Sequence, residues 1–182
     1  MTDDGLAVQL KRAIRRVPDF PTKGIVFRDL TTLWKDPGLM ELAVDALYER
    51  YRGRKVDAIV GIEARGFVFG ALLAERFRVG FVPVRKLGKL PSDKVTEMYQ
   101  LEYRTDGLEL HRDAISKGDR VLIVDDLMAT AGTAMAAIKM VETLGGIVIG
   151  LAFVVELSFL HGREKLANYE VFSLVRYESE AE

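Results

Sequence analysis

The chain has 182 residues, 49% of them hydrophobic, with 26 basic and 27 acidic side chains and a net charge of −1. That length suits one domain with a sizeable core, and the balanced charge gives no overall attraction for nucleic acid or an anionic membrane. The absence of cysteine excludes disulfides and thiolate metal sites. The acidic start and the lack of any apolar run near ~20 residues point away from a secretory leader or a membrane span, and so toward a cytoplasmic protein.

In chain order, Leu6, Leu10, Ala13, Ile14 and Val17 recur at helical spacing with Lys11, Arg12, Arg15 and Arg16 between them. This predicts an amphipathic helix ended near Pro18, its basic residues forming a solvated face. A second helix is expected over residues 37–51, then a short buried strand over 58–60 leading into Gly61. A helix over 67–74 and a strand over 80–84 follow. Residues 92–106 lack clean periodicity and read as a long functional or mobile loop. Arg120 opens a strand over 120–124, followed by a helix over 133–144 that Gly145-Gly146 stops. A strand over 147–155 and an edge strand over 171–174 complete the pattern. Strands alternating with helices predict a doubly wound α/β fold, its sheet mainly parallel with flanking helices. No linker, internal repeat or low-complexity segment interrupts it.

The most informative stretch is Val121-Leu122-Ile123-Val124-Asp125-Asp126-Leu127-Met128-Ala129-Thr130-Ala131-Gly132-Thr133. Four apolar residues without alternation suggest a strand buried on both faces. The two acids are then expected at its end, where open α/β sheets place ligands. The small-residue turn opens a helix whose first amides can cradle a phosphate. Hydroxyl or metal acceptors beside an anion nest suit a phosphorylated sugar. Gly61 and Gly66 have P-loop spacing, but Phe67-Val68 replaces the required Lys-Ser/Thr, which disfavours a nucleotide triphosphatase. His111 and His161 have no partners at metal-ligand spacing.

This stretch resembles the signature of the type I phosphoribosyltransferases, which bind phosphoribosyl pyrophosphate (PRPP). Residues 20–29, Phe-Pro-Thr-Lys-Gly-Ile-Val-Phe-Arg-Asp, resemble the base-recognition segment of the adenine-using members. Gly61-Ile62-Glu63-Ala64-Arg65-Gly66-Phe67 resembles their pyrophosphate loop, Arg85 to Pro91 their basic strand end, and Leu101-Glu102-Tyr103 their catalytic lid. Val155-Glu156-Leu157 and residues 162–166 match their C-terminal pattern. Ala131 departs from a frequent Gly, and Glu63-Ala64 from a frequent Asp-Ser.

The resemblance implies a single domain over 1–182. Residues 1–35 would form an N-terminal helix and base-recognition hood, and 36–182 an α/β core with a mobile loop at about 91–106. It implies that Asp125 and Asp126 hold ribose hydroxyls, directly or through Mg²⁺, and that Ala129, Thr130, Ala131, Gly132 and Thr133 wrap the 5′-phosphate. Glu63, Ala64, Arg65, Arg85, Lys86 and Lys89 would serve pyrophosphate, with the Glu63–Ala64 peptide cis. Val26, Phe27, Arg28 and Leu127 would bind adenine. Glu102 would manage the purine proton, Tyr103 would close over the reacting centre, and Arg65 would assist catalysis. The expected reaction converts adenine and PRPP to AMP and pyrophosphate. Its cofactor would be Mg²⁺, held mainly by substrate with no dedicated protein site, and the protein would be a homodimer without nucleic-acid or membrane partners. Read alone, Arg65 could pair with Glu63, Phe27 could be core and Arg28 could pair with Asp29. A PRPP-binding regulator and a transferase for another base are the rival readings. A regulator would be expected to carry a winged-helix domain or an extended basic surface, and this chain has neither while it retains Leu101-Glu102-Tyr103; residues 20–29 argue against the second.

Overall fold

The computed structural model describes residues 3–100 and 105–182. Its elements begin with helix α1 (Asp3–Ala13), strands β1 (Arg15–Pro18) and β2 (Val26–Asp29), and helices α2 (Thr31–Trp34) and α3 (Pro37–Tyr51). Strand β3 (Ala58–Ile62), helix α4 (Gly66–Phe77) and strands β4 (Gly80–Lys86), β5 (Lys94–Gln100) and β6 (Thr105–His111) follow. Then come β7 (Arg120–Met128), α5 (Gly132–Thr143), β8 (Ile147–Leu157), a 3-10 turn (Ser158–Leu160), α6 (Gly162–Lys165) and β9 (Val171–Tyr177).

Seven strands form one sheet in the order β5-β6-β4-β3-β7-β8-β9, and β1 pairs with β2 in a separate two-stranded ribbon. The run β4-β3-β7-β8-β9 is parallel, and β6 joins the β4 edge antiparallel through Arg85↔Glu109 and Lys86↔Leu108. The expected mainly parallel sheet with flanking helices is present. Its middle strand explains the unbroken apolar run. Val121 and Ile123 pack with Ala134, Ile138 and Val141 of α5 on one face. Leu122 and Val124 pack with Leu47, Phe69 and Leu73 on the other. Neither face meets water, so no polar residue alternates.

Local chemistry sets the helix starts. Asp36 caps α3, its Oδ1 accepting the Leu39 N–H at 3.0 Å, with Pro37 in the first turn where its missing N–H costs nothing. Among the described residues no helix is long and apolar enough to cross a membrane.

Three expectations are corrected. The first helix stops at Ala13, and Arg15–Pro18 is strand paired with β2. Proline disfavours helical geometry in the residue before it, and the basic residues find acidic and carbonyl partners instead. Lys11 meets Glu182 at 2.8 Å, Arg15 meets Asp29 at 2.5 Å, and Arg16 donates to the Ala181 carbonyl at 2.7 Å.

The described residues of 92–106 are not an open loop: β5 and β6 pair antiparallel from Lys94↔His111 to Gln100↔Thr105. Alternation exists there, with Val95 and Tyr99 buried, but the inner position between them is Glu97, which pairs with Lys139 of α5 at 2.7 Å. Met98 points out at 51% exposure. A charge inside and a thioether outside hide the period.

Thirdly, β7 continues to Met128, so the two acids lie within the strand rather than beyond it.

Candidate active site

The acids sit at a fork. Strand β7 pairs with β3 only as far as Gly61↔Val124, whereas its pairing with β8 continues to Met128↔Glu156. Asp125 and Asp126 therefore begin where β3 turns away, which leaves room beside them for a ligand. Both are buried, at 8% and 2% exposure. Asp125 Oδ1 accepts the Asp126 N–H at 2.8 Å. Arg65 Nε lies 2.5 Å from Asp126 Oδ2, an ion-pair contact that lacks hydrogen-bond alignment and leaves that oxygen without a hydrogen bond among the described residues. Burial, and then the neighbouring Asp126 charge, push the Asp125 carboxyl well above the ordinary range. Burial also raises Asp126, against the opposing pull of Arg65. The pair is short of donors or positive charge.

Directly beyond lies the small-residue turn. Ala131 takes a left-handed conformation (φ 62°) and caps α5 without any side-chain hydrogen bond. The Met135 N–H reaches the Ala131 carbonyl at 3.0 Å. The amides of Gly132, Thr133 and Ala134 precede any intrahelical acceptor, as at every helix start. An uncapped helix start with its macrodipole is suited to an anion.

Helix α6 backs this turn. A Cβ on Gly162 would lie 2.2 Å from the Ala129 carbonyl oxygen, so only glycine permits the approach. Lys165 Nζ donates to the Thr130 carbonyl at 3.0 Å. The helix is tethered by Glu156, 2% exposed, which receives Arg163 through Nε at 2.8 Å and Nη2 at 2.5 Å. Ser173 Oγ donates to the same carboxylate at 2.8 Å. Burial opposes this charge, but the Arg163 and Ser173 hydrogen bonds prevail and hold its pKa below the usual value.

The loop after β3 carries the cis Glu63–Ala64 peptide that the resemblance implied. Glu63 does not meet Arg65. Its carboxylate accepts Arg85 through Nε at 3.3 Å and Nη2 at 3.2 Å, and the Lys86 N–H at 2.7 Å. Burial tends to raise its pKa, but Arg85 and the Lys86 amide together lower it. Glu63 thus orients Arg85. Arg65 instead spans Asp126 and the Phe27 ring, whose centroid is 5.1 Å from the guanidinium carbon. Lys86 turns to the hairpin, where its ammonium lies 2.5 Å from Asp106 Oδ2 and 3.4 Å from the Tyr99 hydroxyl. Lys89 is exposed, and its carbonyl accepts Arg85 Nη1 at 3.3 Å. Gly66 starts α4 tight against β7: a Cβ there would lie 2.8 Å from both Asp125 Oδ1 and the Val124 carbonyl.

The ribbon supplies the fourth side. Arg28 is 1% exposed, stacked 4.5 Å from the Tyr177 ring centroid, with Nη2 donating to the Glu180 carbonyl at 3.0 Å. It does not pair with Asp29. That carboxyl accepts the Thr31 hydroxyl and amide and the Arg15 guanidinium, which bring its pKa down to about 2. Phe27 is half-buried, edge-on to Phe20 at 5.3 Å, with Arg65 over its face. The Val26 N–H donates to Glu180 Oε1. Leu127 is half-buried on β7 in the apolar cluster that also holds Val124 and Val155.

Contacts therefore join Arg85 to Glu63, and Arg65 to both Asp126 and Phe27; Glu63 and Arg65 stand two residues apart on one loop, and the 129–133 turn follows on β7. Lys86 is drawn away from these residues. Glu102 and Tyr103 lie outside the described residues. Sequence reasoning gave no role to Glu156, Gly162, Lys165 or Glu180; the first three stood in matched blocks, and Glu180 carried no signal.

A profile of the phosphoribosyl transferase domain family matches residues 32–178. The chain is 57% identical over 169 residues to an adenine phosphoribosyltransferase of Solibacter usitatus, covering 93% of this chain and 98% of that one. Its fold is similar to the crystal structure of adenine phosphoribosyltransferase from Thermoanaerobacter pseudethanolicus, with TM-score 0.91 and 51% identity over 94% and 99% of the two chains. It is likewise similar to the Saccharomyces cerevisiae enzyme complexed with an imino-altritol bisphosphate and adenine, with TM-score 0.89, 45% identity and the same two coverages.

Proposed function

Since this chain belongs to the phosphoribosyltransferase family, and within it to the adenine phosphoribosyltransferases, we infer its reaction from that membership and from the site. It transfers the 5-phosphoribosyl group of PRPP to adenine, giving AMP and pyrophosphate, a step of purine salvage. The observation that carries this reading is the buried, donor-poor Asp125–Asp126 pair set directly before the uncapped start of α5. A ribose 5-phosphate offers two hydroxyl donors and one phosphate at that spacing of needs.

In this reading Asp125 and Asp126 accept the ribose hydroxyls, and residues 129–133 hold the 5′-phosphate. Arg85, oriented by Glu63, meets the pyrophosphate together with Ala64, Arg65 and Lys89. Lys86 contributes through its amide-bonded place beside Glu63 rather than its ammonium. Arg65 leaves Asp126 and Phe27 as the sugar and base take those partners, which carries its charge toward the departing diphosphate. Adenine lies against Phe27 and Leu127, its edge read by the main chain of Val26 and Arg28. Its N9 attacks C1′ while the bond to pyrophosphate breaks. By resemblance Glu102 takes part in the purine proton transfer and Tyr103 covers the reacting centre, which excludes water. Replacing Glu102 by Ala or Tyr103 by Phe is expected to lower turnover far more than PRPP affinity.

Mg²⁺ fits this acidic pair, since Asp126 Oδ2 is buried without a hydrogen bond. Among the described residues no group of three or more potential ligands could hold an ion. The cation would rest mainly on substrate oxygens with Asp125 and Asp126 assisting, and would supply charge neutralisation to the leaving diphosphate. The hood over 1–35, the core over 36–182, a cytoplasmic location and a homodimer belong to the same reading. Exposed Leu72, Leu87 and Met98 are the kind of surface a second copy covers.

Incubating the protein with PRPP, Mg²⁺ and each purine base tests the reading. AMP from adenine is expected. PRPP binding without turnover on any base, or a different nucleotide, would replace it with a regulator or another transferase.

A further inference from the structure

The segment 178–182 is Glu-Ser-Glu-Ala-Glu, and it lies against the base-recognition ribbon through named contacts. Lys11 holds Glu182, Arg16 holds the Ala181 carbonyl, Arg28 holds the Glu180 carbonyl, and the Val26 N–H enters the Glu180 carboxylate. Glu180 is half-buried while Ser179 and Ala181 beside it are exposed. Within segment 178–182, the Glu180 carboxylate accepts a main-chain N–H of β2.

Which main-chain groups this leaves for a base follows from strand geometry. In an antiparallel pair, residues i and i+2 direct their N–H and C=O to the same edge. Val26 stands opposite Pro18 and Arg28 opposite Arg16. With the Val26 N–H directed outward to Glu180, the Val26 C=O and the Arg28 N–H share that outer edge. In order along it stand the Glu180-bound Val26 N–H, the Val26 C=O and the Arg28 N–H. Adenine's edge requires an N–H for N1 and a C=O for N6, so N1 takes Arg28 and N6 takes Val26. The exocyclic amine has a second hydrogen, on the side away from N1. That side faces the Val26 N–H, where the carboxylate sits. A carboxylate has about four acceptor sites, and the Val26 amide uses one of them.

We propose that Glu180 is a specificity-determining residue whose carboxylate accepts the second hydrogen of the adenine amine, next to the Val26 N–H that fixes it in place. It rests on the reading that Val26 and Arg28 present their main chain to adenine, and deepens it. A 6-oxopurine would set an acceptor oxygen against both the Val26 carbonyl and this carboxylate, leaving buried acceptors unpaired. Sites built for a hydrogen-bonded substrate group reject analogues lacking it strongly.

The test pairs residue and functional group. Steady-state constants are measured for the wild-type protein, Glu180→Ala and Glu180→Gln with adenine. Unsubstituted purine, which lacks the amine, is measured as a competitive inhibitor against adenine. Glu180→Ala should raise the adenine KM about tenfold, leave kcat within about twofold, and leave the purine inhibition constant unchanged. Glu180→Gln, which keeps a carbonyl acceptor, should recover most of the loss. An unchanged or lowered adenine KM overturns the proposal, the latter by making Glu180 a competitor for the edge. An equal loss with purine overturns it too, by making the role purely structural. The underlying reading fails differently: the wild-type protein would then form no AMP from adenine.

Discussion

Arg65 Nε stands 2.5 Å from Asp126 Oδ2 while its guanidinium covers Phe27, so one side chain bridges the Asp125–Asp126 pair and the β1–β2 ribbon. Among the described residues a single cation, 37% exposed, pairs with these two buried carboxylates. That imbalance has consequences for stability as well as for binding.

Asp125 and Asp126 have folded-state pKa values raised above their unfolded ones. The folded state therefore binds more protons over that interval. The associated stability is fully present below the ordinary carboxylate range and is lost as pH rises through the raised values. The melting temperature of the ligand-free protein should fall over this window. Asp125→Asn should flatten that dependence and raise the melting temperature near neutrality, by about 2–4 °C per kcal/mol gained. The same substitution, and more so the double Asn variant, should lower AMP formation by about a hundredfold or more. Thermal melts against pH, run beside an AMP assay, check both halves.

Glu63 serves through Arg85. Glu63→Ala removes both contacts to that guanidinium and the acceptor of the Lys86 N–H. The PRPP KM should rise by about tenfold, with the adenine KM little altered. Initial rates with each substrate varied in turn resolve the two effects.

Gly162 admits no side chain. In Gly162→Ala the new methyl would meet the Ala129 backbone carbonyl at 2.2 Å, a group that cannot swing aside, so α6 must move off the 129–131 turn. Overpacking of this kind costs about 1–3 kcal/mol. The expected result is weaker PRPP and AMP binding by calorimetry, in a protein that still folds.

Glu156→Gln leaves Arg163 without its charge partner. Fully buried pairs lose about 3–5 kcal/mol when broken. Arg163 is 37% exposed on its side chain, so a loss nearer about 2 kcal/mol is expected after solvent screening. Urea denaturation of the two proteins provides the comparison.

How far the sequence foretold this structure varies with the physics at each place. The strand before the acids was legible because burial on both faces leaves Val121 to Val124 without a polar interruption. The helix over 37–51 was legible from Pro37 and the helical spacing of Leu39, Leu42, Ala43 and Leu47, though its Asp36 cap was not part of that pattern. The β5–β6 hairpin did not, because Glu97 takes an inward position and is neutralised by Lys139, a partner 42 residues away. The place of the acids within β7 was also hidden, since the fork depends on where β3 stops pairing. Arg65 had Glu63 as its evident local partner and pairs with Asp126 instead, because Arg85 already holds Glu63. Glu180 contacts Val26 across 154 positions, and no local pattern marks such a meeting.

The tether between Glu156, Arg163 and Ser173 has a consequence for genetics. Substitutions there lie off the proposed substrate contacts, yet they should loosen the small helix that backs the 129–131 turn. A screen for inactive alleles should therefore score positions 156, 162, 163 and 173 beside the acidic signature itself, and mapping by proximity to ligand alone would misread them as bystanders.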